Sequence, residues 1–340
     1  MNPEVTIVVS PRERFSGARA SLESIYKYTD IPFTLVYVDG GSPAKLQQYL
    51  EAESRARGFQ LIRTDHYLSP NTARNLGLAQ VKTRYVVFMD NDVIVSPDWL
   101  SRLIECSEQT GATMVGPLTC IGTPLHQTVH CAGGEARIDV EIQDGQPRRR
   151  AHEKLYFADR PVAEIQDKLR REPTGLAEFH CMLVRSEIFK QVGCFDEAML
   201  NTREHIDFSI TVAEAGGSIY LEPTSVVTYV PGPPLEWDDI PYYMLRWSDA
   251  WELASLKRFR AKWDLTEDEF FKRRYKRLGW RRHNTLIRPL ARKVSLFGQR
   301  LPGVERVLVP MDRALNRYLT TRHSRLEGSE VKQDRVLTSS

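Results

Sequence analysis

Short apolar runs alternate with amphipathic stretches through the first third of the chain. The apolar runs are rich in Val and Ile and predict strands at residues 5–10, 33–42, 59–64, 85–90 and 112–118. The stretches between them have apolar residues at helical spacing and predict helices at residues 19–29, 43–58, 69–81 and 96–111. Strands alternating with helices of this length form βαβ units. The pattern therefore predicts an α/β fold with a mainly parallel open sheet flanked by helices.

The periodicity weakens after residue 119. Residues 120–175 are rich in Gly, Arg and acidic residues and predict loops with excursion strands. Regular elements return as a strand and short helix at 176–200, a helix at 201–217, two short strands at 218–231 and a long helix at 242–263. We expect one domain over residues 1–263, with halves at 1–119 and 120–263. A helical extension over 264–340 should follow it and end in disorder from residue 327.

The composition, 41% hydrophobic and 27% charged, is ordinary for a soluble globular protein. The five cysteines are widely spaced and form no C-x-x-C pair. This spacing argues against a disulfide framework or a thiolate zinc site and suits a reducing cytoplasm. The sequence has no apolar run of about 18 residues and no signal-peptide pattern, so we expect neither a transmembrane helix nor a secreted protein.

Basic residues are concentrated near the C-terminus. Between Lys272 and Arg325 there are 16 Lys and Arg and two acidic residues, although the whole chain has a net charge of +3. Residues 271–301 interleave bases with apolar and aromatic residues, which favours docking on an anionic membrane surface. We expect a cytoplasmic protein, peripheral on the inner face of a membrane; a solvated helical extension or a partner-binding arm is the alternative. No nucleic-acid motif is present, and the sequence predicts no oligomeric state.

The segment Asp90-Asn91-Asp92 ends the apolar strand predicted at 85–90. In open α/β sheets ligands bind beyond the carboxyl ends of the strands, so these residues lie at the expected ligand-binding edge. Two carboxylates one residue apart can reach one divalent cation, and their hard oxygens favour Mg²⁺ or Mn²⁺, which take further ligands from substrate phosphates. The segment predicts a metal and diphosphate site. An acidic turn that caps the next helix is the alternative.

Six segments of the chain, in this order, resemble glycosyltransferase family two, which has the GT-A fold. They are VTIVVSPRERF, LVYVDGGS, NTARNLGL, VVFMDNDVIVSPDWL, VGCFDEAML and REHIDFSITVAEAG, within residues 4–263. The resemblance implies a nucleotide-diphospho-sugar donor, Mn²⁺ or Mg²⁺ at the D-x-D motif, and inversion at the anomeric carbon. The implied function is transfer of a sugar to a glycan, lipid-linked or other hydroxyl acceptor, as in polysaccharide biosynthesis.

The resemblance also implies roles for single residues at the donor side. Pro11 and Arg14 match the loop over the donor, and Asp39 matches the carboxylate that holds the base or ribose. Arg74 and Asn75 match the segment under the diphosphate. A turn residue at Asp39 and a surface charge at Arg74 are the alternatives.

The D-x-D match places Asp90 and Asn91 beside the donor, with Asp90 and Asp92 as metal ligands. Asp196 matches an acid near the acceptor, and a helix cap is the alternative there. The family often supplies a further His ligand after the strand predicted at 218–231, but residues 229–234 contain none. Metal binding then rests on Asp92 plus phosphates, or on His180 or His205 as a replacement, although a lone His such as His180 is more often a core or acceptor-wall residue.

The helix predicted at 201–217 departs from the family pattern. Where the family often has Glu-Asp-x-Asp, with the Asp after the Glu as base, this chain has Glu204, His205, Ile206 and Asp207. An inverting transfer needs a base for the acceptor hydroxyl proton. We favour Glu204 as the base, with His205 second and Asp207 as a structural or acceptor-binding acid. The alternative is that the two acids only complement the helix dipole.

Two further classes of function stay open. A transferase-like module that binds nucleotide or glycan with little turnover would explain His205 and the missing late His. A nucleotidyltransferase would need a Gly-rich basic loop after the first strand, and SPRERF contains no Gly. We expect His126, His130 and His152 to be surface or loop residues because they show no ligand spacing. The aromatic residues between 237 and 251 should pack in the core rather than stack on a sugar.

Overall fold

The computed structural model describes residues 4–231, 235–294 and 302–337. The strands are β1 (Val5–Ser10), β2 (Thr34–Gly40), β3 (Gln60–Thr64), β4 (Tyr85–Asp90), β5 (Val93–Val95), β6 (Met114–Ile121), β7 (Val129–Cys131), β8 (Gly134–Gln143), β9 (Gln146–Leu155), β10 (Glu172–Pro173), β11 (Cys181–Arg185) and β12 (Ile219–Tyr229). The helices are α1 (Ala18–Tyr28), α2 (Ala44–Arg57), α3 (Pro70–Leu78), α4 (Trp99–Thr110), α5 (Phe189–Val192), α6 (Glu204–Glu214), α7 (Ile240–Arg246), α8 (Asp249–Lys262), α9 (Glu269–Lys276), α10 (Trp280–Arg282), α11 (Arg288–Val294) and α12 (Pro302–Leu337).

Ten strands form one sheet in the order β10-β12-β6-β11-β4-β1-β2-β3, with β5 beside β12 and β7 beside β6. Four pairs of neighbouring strands are parallel: β1 with β2, β1 with β4, β2 with β3, and β6 with β12. The carboxyl ends of β1, β2 and β4 therefore meet at one edge of the sheet. The predicted α/β fold, a mainly parallel sheet flanked by helices, is confirmed. The antiparallel strand β11, which lies between β4 and β6, was not predicted as a member of this sheet.

The central strands β1 and β4 are buried along their whole length because helices cover both faces of the sheet. On one face Ile7 belongs to a core cluster that includes Trp99, and on the other Val8 belongs to a cluster that includes Phe88. Helix α3 lies close to β1: a Cβ added at Gly77 would meet the Val8 Cγ1 atom at 2.2 Å. Only glycine permits this approach of α3, the helix that carries two predicted donor-site residues.

Three elements of the second half differ from the predictions. Residues 120–175 contain a regular hairpin of two ten-residue strands, β8 and β9. β12 is one strand where two were predicted, with a register shift between Glu222 and Val226. The predicted long helix is two helices, because the Ser248 side chain accepts a hydrogen bond from the Trp251 backbone and begins α8. Among the aromatic residues of this region, Tyr242, Tyr243, Trp247 and Trp251 are buried and Trp237 is exposed.

The C-terminal helices pack on the sheet domain. Arg282, only 1% exposed, donates to Asp249 and Asp312, each at 2.9 Å. From α12, Asn316 Nδ2 donates to the Met244 carbonyl at 2.8 Å. α12 runs to Leu337, through residues where disorder was predicted from 327 onwards. Residues 295–301 of the predicted membrane-docking segment, and 338–340, lie outside the described residues. None of the helices in the described ranges combines the length and apolar character needed to cross a membrane.

Candidate active site

Asp90, the last residue of β4, is held by three neighbouring side chains. Arg12 Nη1 donates to Oδ2 at 3.0 Å, and Arg74 Nη2 donates to Oδ1 at 3.2 Å. His180 Nδ1 lies 3.2 Å from the same Oδ2. Burial alone would raise the pKa of Asp90, but His180 and the two guanidinium groups hold it well below its usual range. Both oxygens of this carboxylate are therefore engaged by the protein.

Asp92 has the opposite environment. It is buried, and among the described residues neither of its carboxylate oxygens has a hydrogen-bond partner. Burial, together with the charge of Asp90, raises the pKa of Asp92 well above its usual range. Its side chain borders a cavity of about 450 Å³, the Asp92 cavity, which Arg14, Gly17 and Val230 also line. An unpaired buried carboxylate is costly, and a hard divalent cation with phosphate ligands would satisfy it. The residues present therefore fit Mn²⁺ or Mg²⁺ at Asp92.

A second cavity, the main cavity, has a volume of about 730 Å³. It extends from Arg12 and Arg74, which hold Asp90, to Glu204 and His205 at the start of α6. Side chains from the C-terminal extension close another part of its wall; they are Arg274, Trp280, Arg281, Asn284 and Thr285. The sheet domain and the extension thus build this cavity together.

Glu204, the residue favoured as base, begins α6 after a left-handed residue, Arg203, with φ of 71°. Arg246 Nη2 donates to its Oε1 atom at 3.0 Å. Burial alone would raise the pKa of Glu204, but Arg246 and Arg74 hold it below its usual value. A carboxylate stabilised in its charged form in this way is a weaker proton acceptor.

His205 also lines the main cavity, and its ring is held by carboxylates. Nε2 lies 3.3 Å from Glu153 Oε1 and 3.7 Å from Glu178 Oε1. Burial alone would lower the pKa of His205, but the hydrogen bond to Glu153 and the charge of Glu178 raise it. When Nε2 carries the proton donated to Glu153, Nδ1 is the nitrogen that can accept another.

Two other acids assigned from the resemblance make structural contacts. Asp207 does not line the main cavity; it accepts from Lys262 Nζ at 2.7 Å and from Trp263 Nε1 at 2.8 Å, and so ties α6 to the end of α8. Asp196 Oδ1 accepts from the backbone N–H two residues later, and Arg258 Nε donates to its Oδ2 at 2.7 Å.

The residues predicted to contact the donor base and its covering loop lie at the ends of β1 and β2. Asp39 Oδ2 accepts from Ser42 Oγ at 2.8 Å and also from Arg63. The carbonyl of Pro11 accepts from the Tyr242 hydroxyl at 3.3 Å. Asp39 therefore sits at the sheet edge with its oxygens already engaged by neighbouring residues.

The two predicted asparagines brace backbone segments. Asn91 Oδ1 accepts from the Arg12 N–H at 3.2 Å, and its Nδ2 donates to the Arg14 carbonyl at 2.9 Å, which fixes the loop after β1. Asn75 exchanges two hydrogen bonds of 2.9 Å with the backbone of Phe195. Asn75 thus joins α3 to the loop before α6 rather than to the end of β4.

Two residues near Asp90 were not predicted as site residues from the sequence: Glu178 and His130. In the part of the chain that the structure describes, His130, Glu178 and His180 form the one group of three side chains with ligand atoms all within 4.8 Å of one another. The expectation that His130 is a surface or loop residue is wrong, because it lies on β7 and lines the main cavity. The pairing of β7 with β6 creates this group, and no local spacing in the sequence signals it.

A third cavity, the arginine cavity, adjoins the main cavity and has a volume of about 510 Å³. Four guanidinium groups line it, from Arg273, Arg274, Arg277 and Arg281. Across the described ranges, none of the four forms an ion pair. Trp247 and Trp280 border both cavities, so a ligand could extend from one into the other.

The sequence model of glycosyl transferase family 2 matches residues 6–193. An uncharacterized protein of Sinorhizobium fredii is 27% identical over 219 residues, which cover 63% of this chain and 23% of that protein. The pre-mycofactocin glycosyltransferase of Mycobacterium tuberculosis is 25% identical over 228 residues, which cover 66% of this chain and 42% of that protein. The chain thus spans less than half the length of these relatives.

The crystal structure of GalNAc-T7 with UDP, GalNAc and Mn²⁺ is similar with a TM-score of 0.50 and 16% sequence identity. The similarity covers 84% of this chain and 58% of that one. It concerns the fold alone, and the predicted GT-A type fold is confirmed. Because the matched residues 6–193 make up more than half of the 340 residues, the chain belongs to glycosyl transferase family 2.

Proposed function

We propose that the protein is an inverting glycosyltransferase that uses a nucleotide-diphospho-sugar donor and a divalent metal ion. The observation that carries the proposal is Asp92, a buried carboxylate with no hydrogen-bond partner among the described residues, at the ligand-binding edge of a family 2 sheet. The two oxygens of Asp90 already accept hydrogen bonds from Arg12 and Arg74, so Asp92 is the acid of this pair that is open to a metal ion. We therefore assign the metal to Asp92 and a positioning role to Asp90.

The donor would lie along the ends of β1, β2 and β4. Asp39 at the end of β2 and its neighbour Arg63 at the end of β3 would meet the base or ribose, and Arg14 beside Asp92 would meet the diphosphate. A divalent cation there would neutralise charge on the departing diphosphate. Arg74 supports the same end of the site by holding Asp90. The sugar would then reach the main cavity, where the candidate bases lie.

We propose His205 rather than Glu204 as the general base. Glu204 is paired with Arg246, whereas the His205 ring is oriented by Glu153 and its Nδ1 is available when Nε2 carries the proton. In the reaction, Nδ1 takes the proton of the acceptor hydroxyl. The hydroxyl oxygen bonds to the anomeric carbon while the bond from that carbon to the diphosphate breaks.

The base assignment is tested with His205→Gln and Glu204→Gln side by side. We expect His205→Gln to lower kcat by about 10²–10⁴ with unchanged binding of the nucleoside diphosphate. Glu204→Gln should mainly lower stability, because Arg246 loses its buried charged partner. A normal kcat in His205→Gln with a collapsed kcat in Glu204→Gln would assign the base to Glu204 instead.

For the acceptor we propose a glycan or lipid-linked sugar that carries an anionic group. The arginine cavity supports this, because its lining has four guanidinium groups against one carboxylate, Glu252, and this positive excess suits phosphate or carboxylate oxygens; the cavity also shares Trp247 and Trp280 with the main cavity. A transfer assay with matched phosphorylated and neutral acceptors tests it. Preference for the neutral acceptor would contradict it.

We also propose contact with an anionic membrane surface, through α12 rather than through the predicted segment at 271–301. In that segment Phe271 and Ile287 are buried against the protein, and the exposed Trp280 and Leu290 lie ten residues apart on different helices. On α12, large apolar side chains at helical spacing are exposed; they are Val307, Met311, Leu315 and Tyr318. Sedimentation with phosphatidylglycerol vesicles should carry the protein down, and phosphatidylcholine vesicles should not. Met311→Glu with Leu315→Glu should abolish this; undiminished sedimentation would contradict the proposal.

The overall proposal is tested by incubating the full chain with Mn²⁺ and a panel of nucleotide-diphospho-sugars. We expect release of the nucleoside diphosphate from at least one donor, and transfer to a hydroxyl acceptor with inverted configuration. Metal-dependent nucleotide binding without any turnover would favour the alternative, a binding module with a transferase-like fold.

A further inference from the structure

Glu178 lies between two histidines on the wall of the main cavity. Its Oε2 atom is 2.8 Å from His130 Nε2 and 3.4 Å from His180 Nε2. The same oxygen is buried, and among the described residues it has no hydrogen-bond partner of acceptable geometry. The ligand atoms of the three groups lie within 4.8 Å of one another, and the oxygen between the histidines is not satisfied by an N–H···O bond.

The other nitrogen of His180 is oriented by Asp90. Nδ1 lies 3.2 Å from Asp90 Oδ2 and also 3.2 Å from Arg12 Nη1. Arg12 Nη1 donates to that Oδ2 at 3.0 Å and has a second N–H, so His180 Nδ1 either accepts from Arg12 or donates to Asp90, according to the tautomer. The tautomer that donates from Nδ1 to Asp90 leaves the lone pair on Nε2, facing Glu178, and it is the tautomer that a metal ion on Nε2 selects. A carboxylate that orients a metal-binding histidine in this way is a common support of metal sites.

The distances agree with one ion shared by the three groups. Zinc binds imidazole nitrogen and carboxylate oxygen at about 2.0–2.2 Å, so two ligand atoms in a tetrahedral site are roughly 3.3 Å apart. The separation of 3.4 Å between Glu178 and His180 matches this value, and the 2.8 Å between Glu178 and His130 requires opening by about half an ångström. His130 is partly exposed, with 24% of its side chain accessible, so it can make this adjustment.

We propose that His130, Glu178 and His180 form a three-ligand site for a divalent transition metal ion such as Zn²⁺, separate from the hard-cation site at Asp92. Two imidazoles and one carboxylate favour zinc and similar ions over magnesium, whose ligands are mainly oxygen. His130 and Glu178 both line the main cavity, so the fourth coordination position faces the space where a substrate would lie. That position can take water or an oxygen of the substrate.

Cobalt(II) is the probe, because its visible absorption reports coordination by nitrogen and low coordination number. The full-length chain carries Asp92→Asn so that the hard-cation site does not contribute. We expect one equivalent of Co²⁺ to produce visible bands and one equivalent of Zn²⁺ to remove them. His130→Gln and Glu178→Gln should each weaken the affinity by at least about 100-fold. His152→Gln is the matched control, because its ring also lies near a carboxylate, Glu135, at 3.0 Å, but outside the cluster.

Absence of visible bands in the Asp92→Asn chain would overturn the proposal, and so would bands that survive both His130→Gln and Glu178→Gln. X-ray absorption at the zinc edge, on the chain with all three cluster residues unchanged, gives a second measurement. Its result does not depend on whether the cluster variants fold. Two imidazole ligands at about 2.0 Å are expected. A shell of oxygen alone, or a thiolate shell, would overturn the assignment.

Discussion

Removing one charge from each of the two neighbouring aspartates should change stability in opposite directions. Asp90 is the buried partner of two guanidinium groups, so Asp90→Asn leaves Arg12 and Arg74 without their counter-charge. Removing one partner of a buried ion pair costs roughly 3–5 kcal/mol. Asp92 has no hydrogen-bond partner among the described residues, and burial with the charge of Asp90 raises its pKa, so at neutral pH the metal-free fold must either hold an uncompensated charge or take up a proton; Asp92→Asn removes that cost. We expect that change to add about 1–3 kcal/mol to the free energy of unfolding.

Thermal unfolding in EDTA measures both variants against the parent chain. At about 2–4 °C per kcal/mol, Asp90→Asn should lower Tm by roughly 6 °C or more, and Asp92→Asn should raise it by several degrees. Adding Mn²⁺ with a nucleoside diphosphate should raise the parent Tm and leave that of Asp92→Asn unchanged. A lower Tm for Asp92→Asn in EDTA, or a neutral Asp90→Asn, would refute the assigned division of roles.

Three further predictions concern other parts of the fold. Burial alone would raise the pKa of Glu13, but neighbouring arginines and two hydrogen bonds hold it below its ordinary value near 4.5. Glu13→Gln should therefore lower the free energy of unfolding near pH 7, as measured with urea. This loss relative to the parent should disappear as the pH falls below about 4.5 and through the lowered folded-state pKa of Glu13. A loss of the same size at pH 7 and pH 3 would contradict this. Gly77→Ala should lower the free energy of unfolding in urea by roughly 1–3 kcal/mol, because the added methyl group meets Val8. In a chain that already carries Val8→Ala, the same change should cost less; full additivity of the two changes would contradict the close contact. Asp207→Asn should cost about 1–3 kcal/mol but leave donor hydrolysis within a few-fold of the parent rate, and loss of turnover at normal stability would return it to the catalytic residues.

The first half of the fold, residues 1–119, could be predicted because its signals are local. Uninterrupted Val and Ile runs and helical spacing define β1 to β4 and the helices between them, and the end of β4 places Asp90 and Asp92 at the ligand edge. The different environments of these two acids could not be predicted. They depend on Arg12 and His180, which reach Asp90 only after β1, β4 and the segment before β11 have come together.

The site residues of the second half could not be predicted either, because their contacts join segments that are far apart in the sequence. His130 comes near Glu178 through the pairing of a three-residue strand with β6, and nothing in the sequence around either residue signals that contact. The Arg246 to Glu204 pair, which argues against Glu204 as base, joins α7 to α6. The basic extension was recognised from its composition, but its contribution to the cavity walls depends on packing that periodicity does not encode.

Isothermal titration of nucleoside diphosphates, with Mn²⁺ and with EDTA, tests the central claim most directly. The full chain and Asp92→Asn are compared, with the exposed Asp238→Asn as a control for loss of a carboxylate. We expect one nucleoside diphosphate to bind the parent and Asp238→Asn in the presence of Mn²⁺, and to bind Asp92→Asn at least about 100-fold more weakly, a difference of about 2.7 kcal/mol. Equal binding by Asp92→Asn, or no Mn²⁺-dependent binding of any nucleoside diphosphate, would contradict the assignment of a metal-dependent donor site to Asp92.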